Sequence, residues 1–126
     1  MTRVVLDPAA FLEWFDPDPG PGARLRTAYE SGSLGVVVPR DFSLHLLDAA
    51  RERVRGGDGL ARLAEAVERV GFDRREAPVD LVAARVASGW PLRAAQYAAL
   101  AEALEVPLVA GDPELRQRAA PLLLPD

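Results

Sequence analysis

Two short apolar runs end in the same way, and this repeated ending constrains the fold more than any other feature. Val4-Val5-Leu6 stops at Asp7-Pro8, Val106-Pro107-Leu108-Val109-Ala110 stops at Gly111-Asp112-Pro113, and helix formers follow both. Each reads as buried strand, cap, helix. Aspartate accepts hydrogen bonds from the free N–H groups of a first helical turn, and proline has the fixed φ of a first helical position. A third run, Gly35-Val36-Val37-Val38, precedes Pro39 and a long helical stretch. Apolar strands alternating with helices call for a parallel sheet covered on both faces, with right-handed crossovers. The expected fold class is therefore α/β: a three-layer α/β/α arrangement around a central parallel sheet of about four to five strands.

Between the strands the pattern predicts helices over 9–15, 23–31, 40–54 and 60–70, the second ended by Gly32 and the third by the Gly56-Gly57-Asp58-Gly59 break. Two more, over 78–87 and 91–104, each open on a proline and form a hairpin about Ser88-Gly89. A short helix over 114–119 follows Asp112, and Leu122-Leu123-Leu124 offers a last strand. The proline-glycine stretch 16–22 cannot continue a helix and is expected as a surface loop.

The chain of 126 residues has the length of one ordinary domain, so residues 1–126 are read as a single unit with a core of its own. Hydrophobic residues at 49% and charged residues at 27% fit a globular protein rather than a disordered one. No cysteine is present, which excludes disulfides, thiolate metal sites and cysteine nucleophiles. No apolar run resembles a signal peptide or a membrane span, so a cytoplasmic address is expected. All 15 basic residues are arginine, yet the net charge of −4 argues against binding nucleic acid through overall positive charge. Local contact remains open at Arg51, Arg53 and Arg55 and at Arg74 and Arg75; the plainer reading is a solvated helix face and a charged turn.

In an open parallel sheet, ligands bind beyond the carboxyl ends of the strands, and Asp7 and Asp112 both stand at that edge. Two carboxylates converging there are a normal way to hold Mg²⁺ or Mn²⁺ for phosphodiester hydrolysis. Capping alone explains both aspartates equally well. Asp41, His45 and Asp48 form a polar stripe on the third helix, where His45 and Asp48 are candidates for proton transfer if the stripe faces the sheet mouth. Trp14, Trp90, Tyr29 and Tyr97 read as core or hairpin anchors. Phosphate-binding glycine loops, serine-hydrolase elbows and His-Glu-x-x-His pairs are absent.

The order and spacing of these fragments resemble the PIN-domain family, and in particular the small VapC-type toxins of toxin–antitoxin pairs. The resemblance rests on Val4-Val5-Leu6-Asp7 leading into Phe11-Leu12-Glu13-Trp14-Phe15, on Val38-Pro39 before the long helix, and on Tyr97-Ala98-Ala99-Leu100-Ala101-Glu102 followed by Val106 to Asp112. It covers nearly the whole chain. It implies a metal-dependent endoribonuclease ancestry, an acidic cluster at the sheet mouth, RNA as substrate, an antitoxin partner and a homodimer. Carried over by position, the first and last acids are Asp7 and Asp112, the ligands expected for the metal. The second family acid falls on His45, a position one turn on that is often asparagine falls on Asp48, and the third acid falls on Ala94. The resemblance thus implies catalysis weakened or lost. The alternative is an active Mg²⁺- or Mn²⁺-dependent ribonuclease in which His45 and Asp48 assist Asp7 and Asp112.

Overall fold

The computed structural model describes residues 1–15, 21–54 and 56–124. Most of the expected proline-glycine loop and Arg55 lie outside them. The elements in chain order are β1 (Thr2–Leu6), α1 (Pro8–Glu13), α2 (Pro21–Glu30), β2 (Leu34–Pro39), α3 (Phe42–Ala50), α4 (Gly57–Arg69), β3 (Asp73–Arg75), α5 (Val79–Ala87), α6 (Leu92–Leu104), β4 (Leu108–Val109) and α7 (Pro113–Arg118). A single 3-10 turn, Ala120–Leu122, follows.

The four strands form one sheet in the order β3-β2-β1-β4, and every pairing is parallel. Helices on both faces complete the expected three-layer α/β/α fold. β1 is central: Val4 pairs with Val36 on one side, and Val5 pairs with Leu108 on the other. Its three apolar side chains, Val4, Val5 and Leu6, are wholly buried, as a strand covered on both faces requires. Across β1 and β2 lies α6, which buries Ala94, Ala95, Tyr97, Ala98, Ala99, Leu100 and Ala101. Alanine at so many positions lets this helix approach the strands closely. Elsewhere the core is aromatic: Phe11 makes ring contacts with Trp14, Phe42 and Phe72 at centroid separations of 5.3, 5.8 and 5.5 Å.

The structure corrects four of these expectations. The charged segment at Arg74 and Arg75 is not a turn but the edge strand β3, where Arg74 pairs with Val38 and its side chain reaches the Val67 carbonyl. Pro39 ends β2 rather than opening a helix, and α3 stops at Ala50, four residues short of the expected end, where the backbone of Arg53 and Val54 turns back to bond the Ala50 carbonyl. Leu122-Leu123-Leu124 contributes only a single parallel bridge, Leu123 to Leu108, rather than a strand. Gly89 closes α5 as expected: its N–H donates to Val86 and that of Trp90 to Arg85, so the α5–α6 hairpin forms where Ser88-Gly89 placed it.

Candidate functional site

Counting outward from β1, the chain runs to β2 and β3 on one side and to β4 on the other, so strand order reverses between β1 and β4. That point is where a doubly wound sheet opens a crevice. Asp7 follows the last residue of β1, and Asp112 follows β4 by three residues, so the parallel pairing sets the two aspartates side by side at the same edge. Each performs the capping role read from its Asp-Pro dipeptide: Asp7 accepts from Ala10 N–H at 2.8 Å and Asp112 from Leu115 N–H at 3.0 Å.

Asp7 does more than cap. Its Oδ1 also accepts from Gly111 N–H at 2.8 Å, and its Oδ2 accepts from Asp112 N–H at 3.1 Å. One carboxylate thus ties the start of α1 to the loop after β4. Gly111 makes this possible, because a Cβ there would fall 2.6 Å from the Ala10 nitrogen. Asp7 is 2% exposed. Burial raises its pKa above the ordinary carboxylate value, the backbone N–H groups of Gly111, Ala10 and Asp112 pull it back down, and the neighbouring Asp112 charge adds to the rise.

The two aspartates open onto a cleft of about 320 Å³ whose wall includes Arg93, Ala94, Tyr97 and Glu114, with proline, alanine and leucine side chains between them. Ala94 leaves the wall without a carboxylate where one turn of α6 meets the cleft. Beside it, the Arg93 guanidinium donates to Asp48 Oδ2 at 3.0 Å, and Asp48 also lies 3.5 Å from Arg51. Asp48 is therefore engaged by two arginines and is not part of the cleft wall. His45 likewise stands behind the wall, its Nδ1 3.0 Å from the Tyr97 hydroxyl. Burial, helped by the Arg93 charge, lowers its pKa below 6.5, while Asp41 and Asp48 pull the other way.

Of the four site residues read from the sequence, the structure brings Asp7 and Asp112 together at the cleft, sets His45 behind its wall against Tyr97, and leaves Asp48 half-exposed beside it on Arg93. Arg93, Glu114 and the Gly111 amide belong to the site and were not singled out. Glu114 had a signal, since it lies in the first turn of the helix that Asp112 caps. Gly111 had none, because its role depends on α1 approaching from the other end of the chain.

A divalent ion wants several free oxygen donors. A carboxylate can accept about four hydrogen bonds, and Asp7 has three such bonds committed to backbone N–H groups. Asp112 uses one oxygen as a cap, and Glu114 pairs with Arg118 at 3.2 Å. Among the described residues no group of three or more histidine, aspartate or glutamate side chains is placed to hold a metal ion. This donor set fits a divalent ion poorly.

No protein-family model matches the chain, and no curated protein matches it by sequence. Among solved structures it is similar to VapC20 of Mycobacterium tuberculosis, a toxin described as cleaving the sarcin–ricin loop, with a TM-score of 0.66. The superposition covers 91% of this chain and 94% of that one at 10% sequence identity. The fold is PIN-like. Among the described residues no helix is long and apolar enough to cross a membrane.

Proposed function

We propose that this protein is a PIN-fold relative of metal-dependent endoribonuclease toxins in which metal binding, and with it RNA cleavage, is weakened or lost. The observation that carries the reading is the state of Asp7, whose carboxylate is buried and committed to three backbone donors. His45 and Ala94 at the positions where the resemblance places two further acids, and Arg93 beside the cleft, support it. A guanidinium near the mouth raises the local potential and disfavours a divalent cation there. RNA, a cognate antitoxin and a second copy of the chain are the partners this ancestry suggests, and a cytoplasmic address suits them.

Calorimetric titration with Mn²⁺ and with Mg²⁺, alongside incubation with mixed RNA, tests the reading. No binding heat at millimolar metal and no metal-dependent cleavage are expected. Tight Mn²⁺ binding with cleavage abolished in Asp7→Asn would sink it. The substitution Ala94→Glu should raise Mn²⁺ binding to a measurable level, because it adds a carboxylate to the cleft wall beside Asp7 and Asp112. Glu114 supports a second reading, an active Mg²⁺- or Mn²⁺-dependent ribonuclease: on rotating away from Arg118 it would add a third carboxylate to Asp7 and Asp112 in the cleft wall. In that case Glu114→Gln would abolish cleavage.

A further inference from the structure

β3 leaves one edge of the sheet open, and the charges on its three residues match themselves in reverse. In the order β3-β2-β1-β4 no strand lies beyond β3 among the described residues. The Arg75 carbonyl accepts from Arg40 N–H on the β2 side. Backbone groups alternate in direction along a strand. Asp73 therefore also turns its groups toward β2, and the Arg74 N–H and C=O point outward. Among the described residues no turn, loop or side-chain hydrogen bond takes either of them.

Side chains alternate as well. Asp73 and Arg75 share one face of the sheet, where they ion-pair at 3.0 Å and both stay close to half-exposed. Arg3, from β1, lies 3.9 Å from Asp73 on the side away from the open edge. Arg74 stands on the other face and folds back onto its own protomer, 3.2 Å from the Val67 carbonyl and 3.9 Å from Glu68. Charge on an edge strand usually keeps other strands away. Here its order admits one partner. Antiparallel pairing of two copies about a two-fold axis at Arg74 sets each Asp73 opposite the partner's Arg75. The outward groups of the two Arg74 residues then exchange both hydrogen bonds of an antiparallel pair. Opposite charges attract across such a pair. Parallel pairing in the same register would set like charges opposite each other.

We propose that the β3 edge is a self-recognition surface, on which a second copy of this chain extends the sheet in antiparallel register. The contact is the same patch on both copies, as a two-fold dimer requires. The joined sheet runs unbroken from one β4 to the other, and the two clefts lie at its far ends and open at opposite edges. A contact one short strand long makes a weak, concentration-dependent dimer. It needs neither metal nor RNA and stands apart from the question of cleavage.

Sedimentation velocity of the full chain, over a concentration series reaching about 1 mM, tests it. The protein should dimerise, and less so as salt is raised. Asp73→Arg and Arg75→Asp each turn both symmetry-related pairs into like charges, so each variant alone should associate about tenfold more weakly or worse. Mixed together, the two should associate again as a heterodimer, because that face of one edge is wholly positive and that of the other wholly negative. Unchanged circular dichroism shows that both variants are folded. A chain that stays monomeric throughout the series would overturn the proposal. So would a dimer that survives in both single variants, which places the contact on another face, or variants that remain apart when mixed.

Discussion

Asp7 and Asp112 carry the same dipeptide and bear unequal structural burdens. Asp112 is exposed and serves one helix, so Asp112→Ala should cost about 0.5–2 kcal/mol, the loss of a cap. Asp7→Ala also strands the amides of Gly111 and Asp112. Both amides are only part-buried, so each left unmet costs no more than the low end of the roughly 1–3 kcal/mol of a buried donor, and with the lost cap the total should reach about 2–4 kcal/mol, measured by chemical denaturation. Equal losses for the two would remove the distinction. Capping was legible because it is local: an aspartate, a proline and a helical pattern are neighbours in the chain. The bond from Asp7 to the Gly111 amide spans 104 residues and leaves no local trace. His45 adds a pH dependence. Its folded pKa lies below the ordinary 6.5, so below that pH the unfolded chain takes up a proton that the folded chain refuses. Stability should therefore fall as the pH drops from 6.5 toward the folded value. Asp7, with a raised pKa, contributes with the opposite sign at lower pH, through its folded value and down toward 3.8. Melting curves of His45→Gln should lose the slope just below 6.5 and keep the acid limb.

Elements with their own apolar rhythm were read correctly in kind, and those without one were missed. β3 is three residues, Asp73–Arg75, with no fully buried side chain, so nothing in its composition separates it from a turn. Its register is supplied by β2, since Val37 pairs with Asp73 and Pro39 with Arg75. Helix ends show the same division. Gly89 sits at φ 93°, where a Cβ is strained, and closes α5 by two backbone bonds. α6 ends in the same pattern, Glu105 donating to Glu102 and Val106 to Ala101, but with a glutamate at φ 54° in place of the glycine. Gly89→Ala should destabilise by about 1–2 kcal/mol, and Glu105→Gly should stabilise by about 0.5–1 kcal/mol. Thermal unfolding of the two single variants checks both signs. A glycine was visible in the sequence as a stop; a glutamate in the same backbone state was not.

For the molecule as a whole, the alternation of apolar strands and helices was enough to anticipate a parallel sheet in three layers. The strand order was not, because the neighbours of β1 come from opposite ends of the chain. Reversal of order between β1 and β4 places the cleft, and β4 exists as only two residues, Leu108–Val109, held by β1 and the Leu123 bridge. The Asp7 network has a kinetic meaning too. Asp7 and Ala10 are neighbours, but the other two amides that satisfy the carboxylate follow it by 104 and 105 residues. Closing so long a loop is entropically slow and rewarded only once it is complete. Asp7 should then act as the final latch of the fold: Asp7→Ala should hasten unfolding and leave the refolding rate nearly unchanged in stopped-flow measurements. Until that latch closes, a nascent chain carries a carboxylate aimed at an apolar interior with one of its three backbone partners, Ala10, within reach.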